Sequence, residues 1–170
     1  MERRVICGRA ARAAILADLA ARPQIEACGL LLGTLSDDAW RIEEAVPLHN
    51  TDNAAASFEF DPEELLRGDL EYGARIVGVY HSHPGGPAYP SRKDLRNMRA
   101  HAESPWVWMI VTAPSHDRSG IGAAPAARRG GAEAGEPDAA ERGAANWSAL
   151  KAGAFQVDDA GTLLVYPVEA

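Results

Sequence analysis

The sequence predicts an α/β or α+β sandwich in which one sheet is covered by two or more helices. Three observations carry that expectation. Helix-like and strand-like segments follow one another along the chain in the order that a sheet-and-helix layer architecture needs. The chain has 170 residues and 46% hydrophobic content, enough for one domain with a sizeable core and hardly enough for two. Two runs, "ARIVGVYHSH" and "PWVWMIVTA", are apolar almost throughout, which fits strands buried within a sheet.

Taken in order, residues 3–7 ("RVICG") read as a short first strand. The following "RAARAAILADLAARP" has the alanine and leucine content of a helix, which Pro23 ends. An apolar run at 28–33 and an alternating run at 40–46 flank the turn-former "SDD", a hairpin pattern. In "FDPEELLRGDLEYG", Asp61 is placed to cap a helix over about 62–73, with Pro62 at its first position and acidic residues in its first turn. A strand is expected at about 75–83, stopped by Pro84, then a helix within "SRKDLRNMRAHAES", then the strand of "PWVWMIVTA". From about 114 to 146 the composition shifts to Ala, Gly, Arg, Glu and Pro, which predicts a flexible insertion within a single domain spanning 1–170. Two alternating runs around "DDAG" predict a closing hairpin near the C-terminus.

Composition narrows the function. Asp and Glu number 24 against 17 Lys and Arg, a formal net charge of -7, which argues against a nucleic-acid partner. No apolar stretch approaches the roughly 20 residues of a membrane span, and the charged N-terminal stretch reads as an amphipathic helix rather than a signal peptide. Cys7 and Cys28 sit in apolar surroundings, as buried thiols do, and a cytoplasmic location is the expectation.

The chemistry concentrates in "HSHPGGPAYPSRKD", residues 81–94. On a strand, His81 and His83 project to one face while Ser82 points away, so two imidazoles can share one cation. Ser91 and Asp94 stand at capping-box spacing, which by itself accounts for both. The Pro- and Gly-rich loop between them can return the helix start to the strand end and bring Asp94 to the histidines. Two histidines and one carboxylate suit a zinc ion with its fourth position open, the arrangement of catalytic sites. Cys28 is a rival fourth ligand, but its run "ACGLLLG" favours a core thiol. A general base is then required, and Glu26 is the best candidate: it precedes an apolar strand, where a carboxylate either lines a polar site or sits exposed at the strand end.

"EACGLLLG", "HSHP" and "YPSRKD" together resemble the signature of the JAMM, or MPN-plus, metalloproteases, with seven residues between His83 and Ser91 and two between Ser91 and Asp94. The resemblance runs from about residue 3 to 113, with a weaker echo at 154–168. It implies an MPN/JAB-like, cytidine deaminase-like sandwich and one zinc ion per chain on His81, His83 and Asp94. Glu26 would be general base and acid, and Ser91 would stabilise the oxyanion. It further implies hydrolysis of a peptide or isopeptide bond beside the Gly-Gly tail of a ubiquitin-like or sulfur-carrier protein, as in the compact bacterial branch. A non-catalytic module binding such a partner, and a small-molecule amidase, are the alternatives. Trp106 and Trp108 are expected to pack against the sheet, and the segment after His49 and Asn50 to border the site.

Overall fold

Hydrophobic alternation and turn chemistry act together to build one curved sheet with helices on both faces. The computed structural model describes residues 3–112 and 150–170. Among them the strands are β1 (Arg4–Cys7), β2 (Cys28–Leu35), β3 (Ala39–Leu48), β4 (Ile76–Ser82), β5 (Val107–Thr112), β6 (Lys151–Val157), β7 (Leu163–Tyr166) and β8 (Val168–Glu169). The helices are α1 (Arg9–Ala21), α2 (Pro62–Tyr72) and α3 (Arg92–Ala100), with a one-turn 3-10 helix at Gly73–Arg75. The expected elements are all present with small shifts at their ends, and the expected sandwich is found. The expected insertion at about 114–146 lies outside the described residues.

The eight strands run in the order β7-β6-β5-β4-β2-β3-β1-β8. Pairing is mixed: β4 and β5 are parallel, as β1 is with both β3 and β8, while the remaining neighbours are antiparallel. The sequence reading did not anticipate β8. It is two residues long and follows Pro167, and its partner β1 lies at the opposite end of the chain, so no local pattern announces it. The curl of the sheet brings Trp40 of β3 edge-on to Tyr166 of β7, with ring centroids 4.8 Å apart.

Alternation sorts the core into two layers. On one face Leu31, Trp40, Tyr80 and Met109 pack with Ala11 and Ile15 of α1. On the other, Leu30, Leu32, Val79 and Ile110 pack with Leu65 of α2 and with Leu95 and Met98 of α3. Burial on both faces is why β2, β4 and β5 read as continuous apolar runs. Trp108 is buried and Trp106 packs beside it, as expected. At Gly29 of β2, strand β3 and the Tyr80 ring approach so closely that a Cβ there would lie 2.3 Å from the Val46 carbonyl oxygen and 2.6 Å from a Tyr80 ring carbon.

Two local devices fix the helices that matter for the site. Asp61 caps α2, accepting from the Glu63 and Glu64 amides, and Gly73 ends the helix at φ 46°. The crossover from β4 to the parallel β5 contains α3, so the start of α3 returns to the carboxyl end of β4. That is the end of an open sheet at which ligands gather.

Candidate metal centre

β4 carries His81 at its end on the α3 side of the sheet, and His83 follows one residue beyond the strand. The intervening Ser82 faces the other way, and its hydroxyl accepts from the Ala27 amide at 2.8 Å. The Ser82 amide in turn donates to the Ala27 carbonyl, also at 2.8 Å. The strand end and the residue after Glu26 are thereby locked together.

The loop 83–91 is held by Thr112, whose single hydroxyl proton is shared between the carbonyls of His83 and Gly86, 3.0 and 2.8 Å from its oxygen. His83 Nδ1 lies 2.8 Å from the Pro87 carbonyl. A carbonyl only accepts, so the proton of neutral His83 resides on Nδ1 and its Nε2 presents a lone pair. Ser91 and Asp94 then form a full capping box: the Ser91 hydroxyl accepts from the Asp94 amide at 3.2 Å, and the Asp94 carboxylate accepts from the Ser91 amide at 2.7 Å.

These elements bring three donor atoms together. The Nε2 atoms of His81 and His83 are 3.1 Å apart, and each is 3.3 Å from an oxygen of Asp94. All three residues are placed so that one atom from each lies within 4.8 Å of the others. Tetrahedral zinc with bonds of about 2.0–2.1 Å has ligand atoms about 3.3–3.4 Å apart, so the spacing fits. The chemistry of the set fits too, because the His83 lone pair and the Asp94 carboxylate face each other and require a shared proton or cation between them. Cys28, the rival ligand, is outside the group; its thiol turns to the Leu48 carbonyl at 3.7 Å.

Glu26 is 4% exposed, and its carboxylate oxygen stands 4.0 Å from His83 Nε2. It is therefore a buried carboxylate beside the donor set and not an exposed strand end. Burial pushes the Glu26 carboxyl up to about 7; nearby His83 opposes that rise and the charge of Asp94 adds to it. Burial also lowers the pKa of His81, which keeps the ring neutral. For Asp94, burial is outweighed by hydrogen bonds from both histidines and from Ser91, and the carboxyl is held below its ordinary range. His83 is raised: burial works against its charge, but Asp94 and the Pro87 carbonyl prevail.

Phe58 and Lys93 had no role in the sequence reading, where Asn50 only marked the start of a bordering segment and Ser82 only pointed away from the histidines. Phe58 stacks on His81 with ring centroids 4.5 Å apart, and it orients a ring whose Nδ1 has no hydrogen-bond partner among the described residues. Lys93 donates to Asp52 at 2.9 Å and to the Phe58 carbonyl at 3.2 Å. Asn50 and Ser82 bond to the main chain at and beside Glu26. A buried asparagine after an alternating strand was the one available signal. His49 is exposed; its amide donates to Glu64 at 2.6 Å and its carbonyl accepts from the Asp61 amide at 3.1 Å.

A mixed sheet with a histidine pair at one strand end and a carboxylate at the start of the next helix defines a JAB-type domain with a candidate metal centre. The chain belongs to the prokaryotic homologs of the JAB domain, whose family model matches residues 8–121. It is 36% identical over 90 residues to a desampylase of Pyrococcus furiosus, covering 51% of this chain and 59% of that protein. It is 35% identical over 74 residues to a CysO-cysteine peptidase of Mycobacterium tuberculosis, covering 42% and 49%. A probable TtuB-protein conjugate cleaving protease of Thermus thermophilus is 37% identical over 62 residues, covering 34% and 42%. The matched segments thus span about half the length of these curated relatives. A solution structure of a Desulfitobacterium hafniense protein shares the fold, with a TM-score of 0.62 at 23% identity over 96% of this chain and 90% of that one.

Proposed function

We propose that this chain is a zinc-dependent metallopeptidase that hydrolyses a peptide or isopeptide bond beside the C-terminal Gly-Gly tail of a ubiquitin-like or sulfur-carrier protein. The observation that carries the reading is the convergence of His81, His83 and Asp94 with Glu26 buried next to them. The names of the similar proteins, a desampylase, a CysO-cysteine peptidase and a conjugate-cleaving protease, support the same kind of bond.

His81, His83 and Asp94 would hold the metal. Zinc, when bound, supplies Lewis acidity toward a carbonyl oxygen and lowers the pKa of a water molecule to about 7. Glu26, poised near the same pKa, takes a proton from the attacking water and returns it to the departing amine. The Ser91 hydroxyl accepts from the Asp94 amide and lies against the Asp94 carboxylate at the edge of the donor set. With substrate in place that hydroxyl would turn to donate its proton to the oxyanion of the tetrahedral intermediate. No helix among the described residues is long and apolar enough to cross a membrane.

Elemental analysis of the purified chain, followed by incubation with a sulfur-carrier conjugate, tests the reading. About one zinc per chain with conjugate cleavage is the expected result. A zinc-loaded chain that left every such conjugate intact would overturn it. Ser91→Ala separates the two roles of that side chain. Loss of the cap costs about 0.5–2 kcal/mol of stability, seen in denaturant unfolding. Loss of the oxyanion donor costs about 100- to 1000-fold in kcat. Zinc content should be unchanged, and a variant that kept its rate would leave Ser91 a helix cap alone.

A further inference from the structure

The segment between β3 and α2 touches the Glu26 main chain, the His81 ring and Lys93 beside Asp94, although none of its side chains is among the proposed metal ligands or reacting groups. Its base is Asn50, which is fully buried. The Asn50 side-chain amide donates to the Glu26 carbonyl at 3.0 Å and to the Ser57 carbonyl at 3.1 Å. Its oxygen accepts from the amides of Asp52 and Glu59, each at 3.1 Å. Two donors and two acceptor positions are all an asparagine has, and its four partners fix which atom is nitrogen and which is oxygen.

The same segment reaches the other main-chain group of Glu26, whose amide donates to the Ala54 carbonyl at 2.8 Å. Both backbone groups of the carboxylate-bearing residue are thus held by residues 50–54. The loop is closed on itself by the bridge between Asn50 and Phe60 and by the Thr51 amide, which donates to the Glu59 carbonyl at 2.9 Å. From its far side Phe58 stacks on His81, and Lys93, next to Asp94 in α3, bonds Asp52 and the Phe58 carbonyl.

From this convergence we infer that Asn50 is a positioning residue: it fixes the main chain of Glu26 against loop 50–59 so that the Glu26 carboxylate is held beside the metal-binding residues. The inference rests on the hydrolase reading for its catalytic consequence and on geometry alone for the anchor itself. An amide of this length matches all four partners. Aspartate of the same shape keeps the acceptor for Asp52 and Glu59 but turns a carboxylate oxygen on the Glu26 and Ser57 carbonyls.

The test uses zinc-loaded protein with Asn50→Asp, and Asn50→Ser as a second variant should the first fail to fold. The Glu26 amide bonds the Ala54 carbonyl of the loop that Asn50 organises, so its hydrogen exchange should rise about 5- to 10-fold as that loop loosens, while the amides of Met109 and Ile110 in β5 keep wild-type protection. On a sulfur-carrier conjugate, kcat should fall about 10- to 100-fold with KM nearly unchanged. Combined with Glu26→Gln, the Asn50 substitution should cost less than about 2-fold more, because it acts through that carboxylate. Equal losses in both backgrounds, unchanged exchange at Glu26, or exchange raised evenly through the sheet would overturn the assignment. If the unsubstituted protein cleaves no conjugate, the hydrolase reading falls, and the exchange measurement still decides whether Asn50 anchors Glu26.

Discussion

Glu26→Gln is expected to abolish most turnover while leaving zinc in place. The carboxylate is 4.0 Å from His83 and is not one of the three converging donors, so its removal takes away a proton carrier and no ligand. General acid-base groups contribute about 100- to 10,000-fold, and in the proposed mechanism one group serves both halves of the reaction, so the upper part of that range is anticipated. Single-turnover cleavage of a conjugate, with zinc measured on the same sample, checks it. A glutamine variant that turned over at the parent rate would remove Glu26 from the mechanism and return it to packing.

The same substitution has a stability signature in protein stripped of metal. The folded pKa of Glu26, about 7, lies above the value of about 4.3 for a free glutamate, so burying the ionised form is unfavourable. Its contribution is therefore fully present below about pH 4.3 and is lost as pH rises through 7. Metal-free Glu26→Gln should melt higher than the parent at pH 8, and the gap should close toward pH 4. A gap that is constant with pH would show that Glu26 is not the group titrating.

The second large effect is expected at Asp94. Asp94→Asn keeps an oxygen to accept from the Ser91 amide, and so retains the helix cap. It removes the negative charge that balances a dication between two neutral imidazoles, and zinc content should drop from about one per chain to a small fraction. Activity should fall in proportion to the metal lost. Asp94→Ala should do the same and in addition cost about 0.5–2 kcal/mol through the broken cap. Zinc retained at parent level in Asp94→Asn would show that the histidines find their third ligand elsewhere.

The sequence alone was enough for much of this molecule because the governing signals are local. Pro62 and Asp61 set the start of α2, Pro84 and the apolar run before it bound β4, and the capping-box spacing of Ser91 and Asp94 is satisfied as a capping box. The two-residue period of a strand put His81 and His83 on one face, and helix-start chemistry put Asp94 at a fixed offset from Ser91.

Tertiary structure decided the rest. Glu26 lies far from His83 in sequence and meets it only because β2 pairs with β4, in the register Cys28 to His81. Whether that carboxylate was buried beside the histidines or exposed at a strand end had no local signature. The same holds for β8, which pairs across the length of the chain, and for Asn50, whose four side-chain bonds all go to main-chain groups that look alike in every residue. Side-chain periodicity and capping are written in neighbouring letters, so the sequence determined the elements and the His-x-His and Ser-x-x-Asp halves of the site. Strand order, register and backbone hydrogen bonding between distant segments depend on three-dimensional closure, so only the fold decided how those halves meet Glu26 and what holds it there.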